Sequence, residues 1–341
     1  MHRTVTKLMA DAQHEERCAY SRDAAEQAAL RRRAKTGELT RTYPGIPSLY
    51  AETAYWNGLK PPERTMHIAR VLARVHDTWV FGGLVAAVSY GFEHQWCLHD
   101  GSVTIATSDH GTHRPDRHLK RVYVPKTALT HVEHEETGLL LLPPAMTLLD
   151  CADAYEFRFA LPFFDSAFAR GITAEDVLDA IGNIHADPRS ALRLLRHVNA
   201  KSENGGESLA RGTMIEERFP TPRLQVPVRD PQTGAEYRAD FVWTLTDGTT
   251  VVGEYDGARK YVDPDMTDNR SIHEIVAKER QRDEGLKRAG AREIVHFTYD
   301  DVIRRTALTM KLLRAGIPRW EQVPLARADR LMPTVIDTPR H

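Results

Sequence analysis

The stretch "VVGEYDGARKY" (residues 251–261) sets Glu254 and Asp256 two apart at the end of an apolar run. In a strand over 251–255 side chains alternate between faces, so the two carboxylates share one. Unpaired charge is costly to remove from water, so an acidic face on a buried strand needs a partner. One lies just upstream, in "EYRADFVWTLTDG" (236–248). Two β-rich runs, 237–245 and 249–255, flank Thr246-Asp247-Gly248. A three-residue loop ending in glycine fits a type I turn with a G1 bulge. With Leu245 opposite Thr249, the register sets Asp240 opposite Glu254 and Arg238 opposite Asp256. Opposed residues share a face, their β-carbons about 5 Å apart. Like charges that close repel unless a cation lies between them, and two hard carboxylates suit Mg²⁺ or Mn²⁺. Phe241, Trp243, Val251 and Tyr255 form the apolar reverse face, ready for a helix.

A third acid precedes the hairpin. Glu207, in "GGESLARGTMIEERF", lies near the start of a helix whose apolar positions face the sheet. Glu207, Asp240 and Glu254 together make the candidate metal set, with Asp256 beside them. Carboxylates in that layout can hold one or two metals that activate water against a phosphodiester. Such chemistry also needs a cation for the developing charge. Lys260 is the first candidate, followed by Lys278, Arg280 and Arg282 on the helix "IHEIVAKERQRDEGLKRAG". Two readings stay open at this point. One is the metal pocket; the other is a set of strand-end acids near a turn, with Arg238 simply paired to Asp256.

Bulk properties bound the rest. At 341 residues the chain is long for one core, so two or three domains are expected. Hydrophobic residues make up 41% and charged residues 27%, a globular balance rather than a disordered or membrane one. The formal charge is −1, so contact with nucleic acid has to come from local patches. Cys18, Cys97 and Cys151 are scattered with no paired spacing, which argues against a thiolate zinc site and suits a reducing compartment. The first 20 residues show no apolar leader, and no run reaches the roughly 20 apolar residues of a spanning helix. A cytoplasmic protein is expected.

Residues 1–60 read as a winged-helix-like module. "SRDAAEQAALRRRAKTGEL" opens with Ser21 as candidate N-cap and stops at Gly37, and "LTRTYPGIPSLY" turns at Pro44-Gly45 like a β-wing. Arg31, Arg32, Arg33 and Lys35 crowd the helix end, where they could face phosphates or simply complement the helix dipole. Residues 61–175 read as a mixed α/β module. There Thr147 and Asp150 are explained as caps of the helix after Pro143-Pro144, and His131 and His134 as surface residues. Residues 176–204 read as a helical connector, and the polar break "KSENGGES" marks the boundary. A second α/β unit covers 205–315 and a tail 316–341. The fold class expected is therefore α/β, or α+β multidomain.

The motifs "GGESLAR", "PTPRLQVPVRD", "YRADFVWTL", "VVGEYDGARKY" and "AKERQRDEGLKRAGAREIVHFTYDDV", in that order, resemble an actinobacterial domain-of-unknown-function family. That family is related to the very-short-patch-repair endonuclease, within the PD-(D/E)XK nuclease-like superfamily. The resemblance spans about residues 200–305 and implies a restriction-endonuclease-like mixed sheet flanked by helices. It puts the metal-binding Asp at Asp240, the following Glu at Glu254 and the helix acid at Glu207. The usual lysine position falls on Asp256, a departure, with Lys260 as a displaced substitute. Residues 1–175 are similar to AbiEi-like type IV antitoxins in "TGELTRTYPGI" and "PAMTLLDCADAY". Together these imply Mg-dependent (or Mn-dependent) DNA cleavage, with DNA and a toxin or defence-system component as partners. The alternative is a DNA-binding regulator whose nuclease fold is degenerate.

Overall fold

The computed structural model describes residues 3–45, 48–109, 116–184, 187–257 and 272–320. The chain is a mixed α/β protein that divides into two compact units, 1–156 with 170–198 and 157–169 with 199–341. Five segments were expected, and the difference has physical causes in both units.

The first unit opens with α1 (Arg3–His14), α2 (Ala24–Lys35) and an antiparallel hairpin of β1 (Leu39–Tyr43) and β2 (Leu49–Glu52). The N-cap of α2 is Asp23, not Ser21, because the Asp23 carboxylate accepts from the Glu26 N–H at 2.9 Å. Ser21 instead accepts from the Asp23 N–H and donates to Glu26. Gly37 follows the helix at φ +80, the left-handed stop that glycine takes without strain. Val5, Leu30, Leu39 and Tyr50 make a small core under this hairpin. The module does not stop at residue 60, however. Tyr43, Leu49, Ala51 and Trp56 join Met66, Ile68, Leu72 and Phe81 in one larger core.

That core draws on α3 (Thr53–Gly58), α4 (Pro61–Val75), β3 (Val80–Gly82), α5 (Gly83–Ser89), β4 (Val103–Thr107), β5 (Leu119–Tyr123) and β7 (Leu140–Leu141), while the edge strand β6 (Val132–Glu133) stays exposed. The sheet runs β5-β4-β3-β7-β6 and mixes parallel with antiparallel neighbours. After α6 (Pro144–Ala154) the chain forms α7 (Phe157–Ala169), which belongs to the second unit. It then returns for α8 (Ala174–Ile184) and α9 (Arg189–Leu195). Thr147 and Asp150 do not cap α6. Thr147 donates its hydroxyl to the carbonyls of Leu142 and Pro143, each at 3.1 Å. Asp150 reaches to α5 and accepts from the Gly83 N–H at 2.6 Å, with burial pushing its carboxyl up to about 6.

In the second unit α7 lies against α10 (Gly205–Glu216), closely enough that a β-carbon on Gly212 would fall 2.9 Å from the Arg158 Cα. Asn204 caps α10, so the polar "ENGG" run is a helix start rather than a linker. A four-stranded sheet follows, ordered β11-β10-β9-β8 from β8 (Arg223–Arg229), β9 (Glu236–Thr244), β10 (Thr250–Asp256) and β11 (Ala291–Thr298). The first three strands are antiparallel neighbours, and β11 runs parallel to β10. Helix α11 (Ile272–Arg288) is the crossover between β10 and β11, and α12 (Tyr299–Ile303) and α13 (Thr306–Arg314) close the unit.

The sheet has two apolar faces. Phe241, Trp243, Val251 and Phe297 pack with Leu209 and Met214 of α10 and Leu308 and Leu312 of α13. Val242, Val252 and Ala291 pack with Leu286 of α11. Ile317, expected in the tail, is fully buried in the first of these cores, whereas 321–341 lies outside the described residues. Among the described residues no helix is long and apolar enough to cross a membrane.

Candidate functional site

The hairpin of β9 and β10 sets the site. Its ladder pairs Thr250 with Thr244, Val251 with Trp243, Val252 with Val242 and Gly253 with Phe241. One step further along this register brings Asp240 beside Glu254. There Asp240 Oδ2 accepts the Tyr255 N–H at 2.9 Å, so the carboxylate replaces a backbone acceptor at the end of the ladder.

Glu254 is 6% exposed. Its Oε2 accepts from Arg282 of α11 at 2.7 Å, and the same nitrogen donates to the Arg238 carbonyl at 2.6 Å. Its Oε1 is buried and has no hydrogen-bond partner among the described residues. Burial, and next the charge of Asp240, push the Glu254 carboxyl up to about 7 in spite of Arg282. Helical periodicity explains why Arg282 enters the cleft while Lys278 and Arg280 stay exposed. Positions 279, 282, 283 and 286 form one face of α11, and that face meets the sheet.

Glu207 sits at the same end of the sheet, but its oxygens are engaged. Oε1 accepts from Asn204 Nδ2 at 2.7 Å; Oε2 accepts from the Glu203 N–H at 3.0 Å and from Gln225 Nε2 at 2.9 Å. Among the described residues no three His, Cys, Asp or Glu side chains gather as a metal centre. The expected triad is therefore a pair, Asp240 and Glu254, with Glu207 linked to it through Gln225. Gln225 Nε2 lies 3.5 Å from Asp240 Oδ1, at the limit of a hydrogen bond.

Asp256 does not pair with Arg238, whose partner is Glu203. It meets His296 Nδ1 at 3.0 Å, and His296 Nε2 meets Asp283 at 3.1 Å. Held between two carboxylates, with the Asp256 bond the larger influence, the imidazole is pushed up to about 9 and is cationic at neutral pH. Lys260 lies outside the described residues. Among the described residues, the cations gathered at Glu254 and Asp256 are Arg282 and His296. His296 was not singled out from the sequence; the signal for it is the parallel register that sets it next to Glu254.

These groups line a cleft of about 230 Å³. Glu203, Asp240, Glu254, Asp256, Glu279 and Asp283 there oppose Arg238, Arg282 and His296. Among the described residues of the lining, carboxyls outnumber cationic side chains, a balance that attracts cations rather than phosphate. A divalent ion fits it on two counts: a hard-oxygen pair of like charge and a buried oxygen with no donor.

On the first unit, Arg31, Arg32 and Lys35 project from α2 into solvent, with no acid partner among the described residues. Arg33 is drawn to Glu38 at 3.5 Å. Of the four expected DNA contacts, three remain open cations.

No family model matches the sequence. No curated protein matches it either. Among solved structures, the crystal structure of the Rv2827c protein from Mycobacterium tuberculosis matches over 63% of this chain and 80% of that one. The identity is 18% and the TM-score 0.33, and at that score the likeness bears on neither fold nor function.

Proposed function

We propose that the second unit is a divalent-metal-dependent phosphodiesterase acting on DNA, and that α2 of the first unit supplies contacts to the DNA backbone. The observation that carries this reading is the unpartnered, buried Oε1 of Glu254 on a carboxylate that Asp240 already repels. Asp240 and Glu254 would hold the ion. A divalent ion in such a place polarises a phosphoryl oxygen and lowers the pKa of a bound water. The chain's own groups do the rest. Arg282 fixes Glu254 in its rotamer and offers a guanidinium to a phosphate oxygen, and His296 supplies a second positive charge beside Asp256. Together they stand in for the lysine that the nuclease resemblance would put at Asp256. This reading includes a cytoplasmic setting, Mg²⁺ or Mn²⁺ as the ion, and a toxin or defence-system component as a further partner.

Thermal unfolding with and without 5 mM Mn²⁺ or Mg²⁺, alongside plasmid cleavage, tests the reading. Metal should raise the Tm of the wild type, and Asp240→Ala should abolish both that shift and cleavage. A second reading, a DNA-binding regulator with an inactive nuclease fold, is favoured by one observation: Arg282 already occupies one oxygen of Glu254. Salt-sensitive DNA binding with no cleavage of any DNA form under either metal would sink the enzyme and leave the regulator. The regulator falls in turn if Arg31→Ala with Arg32→Ala leaves the affinity and its salt slope unchanged.

A further inference from the structure

Gln225, within the run "PTPRLQVPVRD", is the member of the described lining of this cleft that carries no ionisable group. It lies in β8 between two regular ladder pairs, Leu224 with Phe241 and Val226 with Ala239, at the register position facing Asp240. Its backbone is left-handed, φ +50, a conformation that a long unbranched side chain rarely adopts inside a strand. Irregularities of this kind collect where a strand must aim a side chain at a functional site. The amide has a defined orientation. Its NH₂ end donates to Glu207, an acceptor-only group that is itself fixed by Asn204 and the Glu203 N–H. The carbonyl end, Oε1, is then buried with no donor among the described residues. Two residues that line one cleft, Gln225 and Glu254, therefore each carry a buried acceptor oxygen, Oε1, with no donor among the described residues, and Asp240 lies next to both residues.

We infer that Gln225 is a neutral third oxygen ligand of the cation held by Asp240 and Glu254, and that Glu207 serves this site by holding the Gln225 amide rather than by touching the metal. The inference rests on the metal reading above. Two carboxylates and an amide carbonyl form a hard-oxygen set suited to Mn²⁺ or Mg²⁺. The arrangement explains why the third acid of the expected triad stands one residue removed from the ion.

The test uses the full chain, Mn²⁺ by calorimetry and Eu³⁺ luminescence lifetimes in H₂O and D₂O to count coordinated waters. Gln225→Gly suits the left-handed backbone and keeps the fold, and its metal-free Tm checks this. It should weaken Mn²⁺ at least roughly tenfold, the scale on which metal-site partners act, and add one water to bound Eu³⁺. If Gln225→Gly does not fold, Gln225→Asn, tolerant of the same backbone but shorter, takes its place. Wild-type Mn²⁺ affinity and an unchanged water count in the glycine or asparagine variant overturn the inference and leave the metal reading intact. A wild-type protein that binds no Mn²⁺ overturns both.

Discussion

Two buried carboxylates in the second unit meet arginines in opposite ways. Asp165 of α7 accepts Arg211 Nη2 at 2.6 Å on each oxygen, and Oδ1 also takes the Asn199 N–H at 2.8 Å. Both side chains of that pair are 1% exposed. Glu254 also meets an arginine, but through one oxygen only, from an Arg282 side chain that is 33% exposed, and with Asp240 adding like charge. The first acid is closed: every oxygen has a donor, and the pair joins two helices. The second is left open. A protein gains nothing in stability from an acid that is half satisfied and repelled, and that is the physical ground for assigning Glu254 to function and Asp165 to architecture.

The sharpest way to break this contrast is to neutralise each acid with its isosteric amide. Asp165→Asn takes the Asp165 charge away from the buried Arg211 guanidinium, and the cost should approach the about 3–5 kcal/mol of a broken buried pair. Urea unfolding reads it directly, and Asp165→Leu with Arg211→Met should recover much of the loss. Glu254→Gln should shift stability the other way. It removes a buried charge that burial and Asp240 oppose, so the metal-free protein should gain about 1–2 kcal/mol at pH 8, while any Mn²⁺-dependent rise in Tm disappears. A loss of stability in both variants would mean that Glu254 is as structural as Asp165.

The pH dependence sharpens the same point. Glu254 titrates near 7 in the fold and near the ordinary carboxylate range when unfolded, so the fold favours its protonated form. The penalty from this group is absent below the unfolded value and builds as pH rises through about 7. Metal-free stability should therefore fall between pH 5 and 8 in the wild type, and that component should be missing from Glu254→Gln. An identical pH slope in the two proteins would remove the case for a strained carboxylate.

What could be read from the sequence follows the range of the interactions. The hairpin register was legible because Thr246-Asp247-Gly248 fixes it locally: Gly248 takes φ +85, and its N–H donates to the Leu245 carbonyl. Asp240 beside Glu254 came with it. Glu207 was located at this end of the sheet, but its bonds to Asn204 and Gln225 were not read, although Asn204 three residues before it is a capping signal. His296 depends on β11 lying parallel to β10, a pairing made across α11 that no local pattern records. Gln225 was out of reach for a different reason, since nothing in "RLQVPVR" announces a left-handed glutamine. The fate of α7 was similarly hidden: Arg211 and Asp165 are 46 residues apart in sequence, and their pair is one of the long-range contacts that tie the helix to the second unit.

The smallest effect separates His296 from the open acid it neighbours. Its imidazole is raised to about 9, first by Asp256 and then by Asp283, from an unfolded value near 6.5. A raised histidine stabilises the fold fully below its unfolded value, and the contribution drains away as pH climbs through the folded one. Between pH 7 and 9.5 the wild type should lose Tm where His296→Gln does not. Because the His296 side chain is 37% exposed, the difference should amount to a few degrees at most and shrink in 0.5 M salt. This slope runs through a higher window than that of Glu254, so a pH series resolves the two groups in one protein. Superposition of the slopes, with His296→Gln tracking wild type above pH 8, would show that His296 is neutral in the fold, and Arg282 would then be the positive charge left beside Glu254 among the described residues.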